Sequence, residues 1–428
     1  MSVLADEPNE PPLRAPALSA DQWTVAGFTA LLVLVLAGPL MSGQGGDALT
    51  GEGNALRQVS YLLVFAGLLA ATLRTGGVDR ALATSFPVNF LLLYCWLSLL
   101  WAINPGVGMR RAVLTTIIVY SIFVAVGALG ADRTLRVIRA VLSAVLVLNF
   151  ATVVLAPNVG IHQFESGGDP GLIGDWRGFF PEKNLTGAVT AVTLMVLWFD
   201  PRSKSNLTHL GLILGSLFFL VQTGSRTALG IGLASLVMGI AYRRYDWRWW
   251  PVAMVSLALL ALAAAVAVAA SWDVLGAYLD RPDAFTGRTQ IWSTLLAYLR
   301  DHWPAGAGYG SFWNVGADSP VYAYARSGAW VTKITSSHNG YLEVASQIGV
   351  PGLLIALFCL FLHPLGRLLT DPGHSERGAL LLAMLVFCAG QNLTEATMLD
   401  RDNFVQFCLM WTIAAICQRP RPTPGLGS

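Results

Sequence analysis

Runs of about 20 apolar residues recur along this chain, and that is the length one helix needs to cross a hydrocarbon core. They fall near 22–41, 57–73, 86–103, 111–130, 136–156, 184–200, 206–222, 226–242, 249–271, 350–368, 377–396 and 403–418. Inside lipid, every backbone N–H and C=O must be satisfied within the segment, so runs of this kind become helices. Most are rich in Leu, Val and Ala all round. The expected fold is an all-α polytopic integral membrane protein of about twelve transmembrane helices. Charged residues make up only 12% of the 428, about half the share of an average soluble domain. That leaves too few charges to cover a soluble enzyme. With a net charge of +2 and no basic block, the chain is no nucleic-acid binder. Its partner is the lipid bilayer.

The cysteines, Cys95, Cys359, Cys388, Cys408 and Cys417, all lie in apolar runs and none forms a CxxC pair. They read as buried thiols, not as a disulfide framework or a zinc site.

Twelve spans put both termini on one side. The loops on that side hold Arg74, Arg80, Arg133, Arg136, Arg139, Arg202, Lys204, Arg243 and Arg244. Among short loops this side carries the larger share of Lys and Arg, which places it in the cytoplasm. The resulting segments are a disordered cytoplasmic tail over 1–21, helices one to nine over 22–271, a long outer loop over 272–338, a half-helix with helices ten to twelve over 339–418, and a second cytoplasmic tail over 419–428. The polar, Pro-rich first segment has no basic region ahead of its first apolar run, so no signal peptide is expected.

Two outer loops, 157–183 and 272–338, are too long to be mere connectors and read as functional. Within the second, Thr289–Arg300 has the pattern of an amphipathic helix. Polar islands stand out on this side. Thr223-Gly224-Ser225-Arg226 is a tight turn whose arginine either anchors the interface or offers a guanidinium to a phosphate. Arg288, after Gly287, falls in the first turn of the amphipathic helix, where backbone N–H groups favour an anion; the alternative is a solvated surface arginine. In Ser337-His338-Asn339-Gly340-Tyr341, Asn339 is an N-cap for a helix that stops near Gly349-Val350-Pro351. Nine residues rise only about 13 Å, too short to cross. His338 then sits at the positive end of a half-helix, which favours a neutral imidazole able to act as a base; the alternative is an exposed loop histidine. Arg177 and Lys183, around Phe179-Phe180-Pro181-Glu182-Lys183-Asn184, and Glu395, in Asn392-Leu393-Thr394-Glu395, are candidate substrate contacts. Lys183 could equally snorkel to the interface, and the Glu395 segment could simply bond neighbouring helices. No acidic metal motif is read in the outer loops, and no nucleotide-sugar fingerprint is present.

These islands, Thr223-Gly224-Ser225-Arg226-Thr227, Gly287-Arg288-Thr289-Gln290-Ile291-Trp292, Ser337-His338-Asn339-Gly340-Tyr341-Leu342-Glu343 with its following Gly349-Val350-Pro351-Gly352, and the segments around Lys183 and Glu395, occur in the order found in the O-antigen ligase and O-antigen polymerase superfamily. From about Arg177 to Glu395 the chain resembles that superfamily. The resemblance implies a multi-pass protein of the bacterial inner membrane with a large periplasmic loop. It also implies a glycosyltransferase without metal or cofactor. Its donor would be an undecaprenyl-pyrophosphate-linked glycan, and its acceptor another repeat unit or the lipid A core. Carried over by motif, His338 is catalytic, Arg226 and Arg288 bind pyrophosphate, and Arg177, Lys183, Asn339 and Glu395 are further substrate contacts. The FFPEKN segment is more similar to the exopolysaccharide polymerase branch than to the ligases. The rival reading from another class is a transporter of lipid-linked glycans or small molecules. Transporters place ionisable groups near mid-membrane, whereas here the span centres lack Asp and Glu.

Overall fold

The computed structural model describes residues 19–41, 54–81, 84–164, 170–200, 206–271, 287–325, 330–372 and 376–418. Residues 1–18 of the first expected tail (1–21), the second tail 419–428, and 272–286 and 326–329 of the expected outer loop lie outside the described residues, while Ala20 and Asp21 already belong to the first helix.

Thirteen principal helices account for the described chain: α1 Ala20–Met41, α2 Ala55–Ala81, α3 Phe86–Leu97, α4 Pro105–Leu129, α5 Ala131–Leu155, α6 Lys183–Trp198, α7 Leu207–Gln222, α8 Arg226–Tyr242, α9 Trp250–Ala270, α10 Arg288–His302, α11 Gly340–Leu357, α12 Glu376–Gln391 and α13 Phe404–Cys417. A π-helical turn, Phe358–Leu362, continues α11 into a last helical stretch, His363–Leu369. Among the described residues, five helical segments are long and apolar enough to cross a membrane: Ala20–Leu40, Ala55–Arg74, Pro105–Leu129, Ala131–Leu155 and Gly340–Leu369. Phe86–Trp101, α7, α8 and α13 are apolar but shorter. The protein is a helical membrane protein.

Asparagine starts several of these helices for one reason: its side-chain oxygen satisfies an N–H left orphaned in the first turn. Asn104 does so for Val107, Asn206 for Thr208, Asn339 for Tyr341 and Leu342, and Asn403 for Val405.

Helices α6, α12 and α13 form the interior, with nearly every side chain buried. Around them α2 packs on α1 and α4, α8 on α12, and α13 on α4. Glycine permits the closest of these approaches. A Cβ at Gly239 would stand 2.6 Å from the Phe199 ring and 2.7 Å from the Ala379 carbonyl, so α8 lies against α12 as only small residues allow. Exposed Leu and Val line the outward faces of α2, α7 and α9.

Ion pairs gather at one end of the bundle: Arg133–Asp21, Arg139–Asp200, Arg243–Glu376 and Arg377–Asp132. At the other end the ends of α1 and α12 and the starts of α2, α4, α6, α11 and α13 surround one cavity of about 1130 Å³.

Helix α11 breaks where it meets the segment that follows α10. Ile348 and Gly349 leave helical geometry, Gly349 with φ 74°. The backbone groups freed there are taken up by the loop: Val350 N–H donates to the Trp303 carbonyl (2.8 Å), and Ala307 N–H donates to that of Ser346 (2.9 Å). A break within an apolar helix survives where protein satisfies its freed backbone groups.

Candidate functional site

Four polar islands of the sequence meet at one carboxylate, and a fifth joins them through Asn184. Glu395 follows α12 in a turn, its N–H donating to the Gln391 carbonyl. Its Oε1 accepts from Arg288 Nη2 at 2.8 Å and from Asn184 Nδ2 at 2.9 Å. Its Oε2 lies 3.2 Å from Nδ1 of His338. Asn184 in turn accepts from the Ser225 hydroxyl at 3.3 Å. The turn before α8, the start of α6, the start of α10, the entry to α11 and the end of α12 are thus tied into one network.

Local chemistry explains how each side chain arrives. Gly287, at φ 82°, makes the left-handed turn that lets α10 begin with Arg288. His338 is itself left-handed, φ 50°, a costly conformation for a non-glycine residue. Neighbours hold it: its N–H donates to Ser336 Oγ, and the Ser337 hydroxyl donates to the Asn339 carbonyl. Gly340 allows the junction, because its N–H donates to the carbonyls of Asn392 and Glu395. A Cβ there would fall 1.9 Å from Asn392 Oδ1. No other residue fits between the entry to α11 and the Glu395 turn.

The His338 side chain is 34% exposed and lines the cavity with Glu395 and Asn184. A hydrogen bond from Nδ1–H to Glu395 leaves Nε2 as the acceptor, the tautomer a general base needs. Arg288 spends one donor of its fork on Glu395, leaving the others for an anion. At the cavity wall, burial pushes the Glu182 carboxyl above its usual range; the Glu395 charge adds to this and His338 opposes it.

The remaining expected site residues fall into two groups. Arg226 opens α8 one residue after Ser225 and is exposed; among the described residues its guanidinium makes no hydrogen bond or ion pair. Arg177, Lys183 and Asn339 are engaged by the protein. Arg177 Nε donates to the Val159 carbonyl at 2.8 Å, and Lys183 pairs with Asp175. Together with Trp176 N–H to the Gln222 carbonyl, these contacts fasten the 157–183 loop beside the turn before α8. Asn339 caps α11 and donates Nδ2 to the Leu393 carbonyl at 3.0 Å.

The sequence reading missed several cavity residues. Glu343, inside a motif already singled out, is buried and accepts from Trp313 Nε1 (2.9 Å), Ser337 N–H (3.0 Å) and Gln347 Nε2 (2.8 Å). Asn184 was passed over in favour of its neighbour Lys183. The spacing Asp400-Arg401-Asp402 is an acidic pair in the loop between α12 and α13, which corrects the expectation that the outer loops hold none. Asp402 forms an ion pair with Arg57 at 3.2 Å. The visible signal was three consecutive charged residues in a chain with few.

Residues 210–357 match the family model described as O-antigen ligase. That stretch contains Arg226, Arg288 and His338, whereas Asn184 and Glu395 lie outside it. No curated protein matches the chain.

Proposed function

From the premise that residues 210–357 carry an O-antigen ligase domain, we propose that the protein is a membrane glycosyltransferase that moves a glycan from undecaprenyl pyrophosphate to a sugar hydroxyl. The observation that carries this reading is the pair of contacts on Glu395, which sets a base and a cation side by side. His338 Nε2 takes the proton of the acceptor hydroxyl, and Glu395 stabilises the resulting imidazolium. The acceptor oxygen forms its bond to the anomeric carbon as the bond from that carbon to the pyrophosphate oxygen breaks. The electron pair leaves with the pyrophosphate, and Arg288 and Arg226 meet its charge. Pyrophosphate is already a good leaving group, so arginines suffice and no metal is required. Arg177, Lys183 and Asn339 shape the site by holding the 157–183 loop and the start of α11.

The helices form about twelve spans in the bacterial inner membrane, with both termini in the cytoplasm and the cavity opening to the periplasm. The acceptor is a second lipid-linked repeat unit, the reading that the FFPEKN segment supports. The description of the matching family favours a second reading, transfer of finished polymer to the lipid A core. The test is purified protein in lipid with a lipid-linked oligosaccharide and EDTA, and no other enzyme. Formation of a longer glycan and free undecaprenyl pyrophosphate supports the proposal. Transfer that appears only after magnesium or manganese is added refutes the metal-free chemistry, and no transfer under either condition, with lipid A core also offered as acceptor, refutes the enzyme.

A further inference from the structure

Glu343 is a buried residue of the cavity lining that the proposed transfer does not use. Its carboxylate faces N–H donors on both oxygens. Oε2 accepts from Trp313 Nε1 at 2.9 Å and from the Ser337 N–H at 3.0 Å, and Oε1 accepts from Gln347 Nε2 at 2.8 Å. None of these donors can become an acceptor by turning. An indole N–H and a backbone N–H only donate. Gln347 is fixed the same way round, because its Oε1 takes the Gly310 N–H at 2.7 Å. Position 343 therefore needs acceptors at both oxygens, which a carboxylate supplies and an amide of the same shape does not.

Ordinary helix capping does not account for these contacts. A glutamate in the first turn of a helix reaches back to the N–H of the capping residue itself. Here that residue is Asn339, and its N–H donates to Ser337 Oγ at 3.1 Å. Glu343 reaches past it to Ser337, the residue before His338. The Ser337 carbonyl is held as well, by Trp292 Nε1 at 3.0 Å. Both backbone groups of this buried serine are thus fixed by side chains, one from α11 and one from α10. His338 follows with its left-handed φ of 50°, a conformation that persists only where the surroundings over-determine it. The far side of His338 is fixed through the carbonyls of Asn392, Leu393 and Glu395, which accept from Gly340 and Asn339.

Trp292 stands one turn after Arg288, on the same face of α10. That face delivers both the guanidinium that meets Glu395 and the indole that holds Ser337. Trp313 belongs to the segment after α10 whose carbonyls, at Gly310, Trp313 and Asn314, hold the Arg111 guanidinium of α4. Glu343 is where these supports converge on the residue next to the base.

We propose that Glu343 is a positioning residue: with Trp292 it clamps Ser337, and so fixes the direction in which His338 presents its imidazole to the acceptor hydroxyl. The role toward the hydroxyl rests on the transfer proposed above; the clamp does not.

The test uses the full-length protein in nanodiscs as wild type, Glu343→Gln and Trp292→Phe, and places both substitutions in a His338→Ala background as well. Hydrogen–deuterium exchange, resolved to the Ser337 amide, reads the clamp without any substrate. Glu343→Gln should speed exchange there by roughly tenfold or more, as the loss of a hydrogen bond to a charged group does, with protection of the membrane helices unchanged. Wild-type exchange retained at Ser337 overturns the clamp. Transfer from a lipid-linked donor reads the second half. Glu343→Gln should lower kcat by about ten- to a hundredfold and leave the donor KM unchanged. In the His338→Ala background it should cost nothing further, because residues that act as a unit do not add; a general loss of structure would multiply instead. Trp292→Phe keeps an aromatic ring, removes the indole N–H and should repeat the pattern, which decides the matter if Glu343→Gln does not fold. A loss that multiplies with His338→Ala, or that falls on KM, overturns the positioning role. A Ser337 amide protected in wild type and released in Glu343→Gln, with no transfer by the wild type, leaves the clamp standing and fells the transferase reading.

Discussion

Arg288 and His338 are joined through one carboxylate: Glu395 accepts from the guanidinium on one oxygen, at 2.8 Å, and faces the imidazole Nδ1 with the other, at 3.2 Å. The two groups come from different elements, the first turn of α10 and the entry to α11. Neither can shift without disturbing the other's partner. On the proposed reading, with His338 as base and Arg288 as phosphate-binding cation, the pair starts the reaction already oriented, and orientation is where much of an enzyme's rate comes from. The left-handed backbone of His338 adds a fixed direction to its ring.

Glu395→Gln keeps the shape but removes the charge that steadies an imidazolium and orients Arg288. Transfer should fall about 10²-fold, within the range for a disabled general base, with most of the loss in kcat. His338→Ala should lose at least as much, and the double variant no more than His338→Ala alone, because the two residues act as a unit. Single-turnover transfer from a labelled lipid-linked donor reads this directly. Losses that multiply in the double variant would show that Glu395 and His338 work independently.

Arg226→Lys and Arg288→Lys keep the positive charge and lose the planar fork. Each should cut transfer by at least about tenfold, as the loss of a charge-assisted hydrogen bond does, with normal abundance in the membrane. For Arg288→Lys the bond to Glu395 is lost as well, so its defect should be the larger of the two. Turnover assays on matched amounts of protein decide this, and near-normal rates in both variants would rule out a bidentate hold on the pyrophosphate.

The helices were legible because lipid leaves a segment few alternatives: a long apolar run satisfies its backbone as a helix or not at all. The motifs were legible for the complementary reason, as polar islands in a chain that is 54% apolar. Their meeting point was not. Glu395 is 57 residues from His338 and 107 from Arg288, and no local pattern announces a contact at that range. Asn184 was overlooked because an amide beside a lysine draws less notice than the charge, yet the amide holds Glu395 while the lysine pairs with Asp175. The need for glycine at 340 is likewise invisible until Asn392 is seen against it.

Asp400 predicts a pH signature. Burial raises its carboxyl from 3.8 to about 6, so between those values the folded protein binds more protons than the unfolded chain. Stability must then fall as pH rises through that window. Asp400→Asn cannot ionise and should lose this component. Thermal unfolding in detergent at several pH values between 4 and 6 should give a steeper decline for wild type than for Asp400→Asn. Parallel curves would show that the carboxyl is better solvated than its surroundings suggest.

The proposed orientation sets Asp318, in the long loop after α9, opposite Arg248, just before α9, and both are exposed. Each can be replaced by cysteine in a variant whose five native cysteines are changed to alanine or serine. A membrane-impermeant maleimide added to intact cells whose outer membrane has been made permeable should label position 318 and spare position 248 until the inner membrane is opened. The reverse pattern would put the cavity on the cytoplasmic face, where a periplasmic transfer could not use it.

The acceptor decides what the cell loses without this protein. If the acceptor is a second lipid-linked repeat unit, a deletion strain cannot extend chains, so single repeat units should collect on undecaprenyl pyrophosphate and long polymer should vanish. If the acceptor is the lipid A core, extension proceeds and attachment fails, so long undecaprenyl-linked chains should collect beside bare core. Both routes share the donor, and therefore His338, Arg288 and Glu395 are needed in either. The FFPEKN segment leads us to expect the first outcome. A lipid extract resolved by glycan length, beside a gel of the cell's lipopolysaccharide, separates the two. Accumulation of long undecaprenyl-linked chains would transfer the proposal to the ligase reading while leaving the Glu395 network and its chemistry in place.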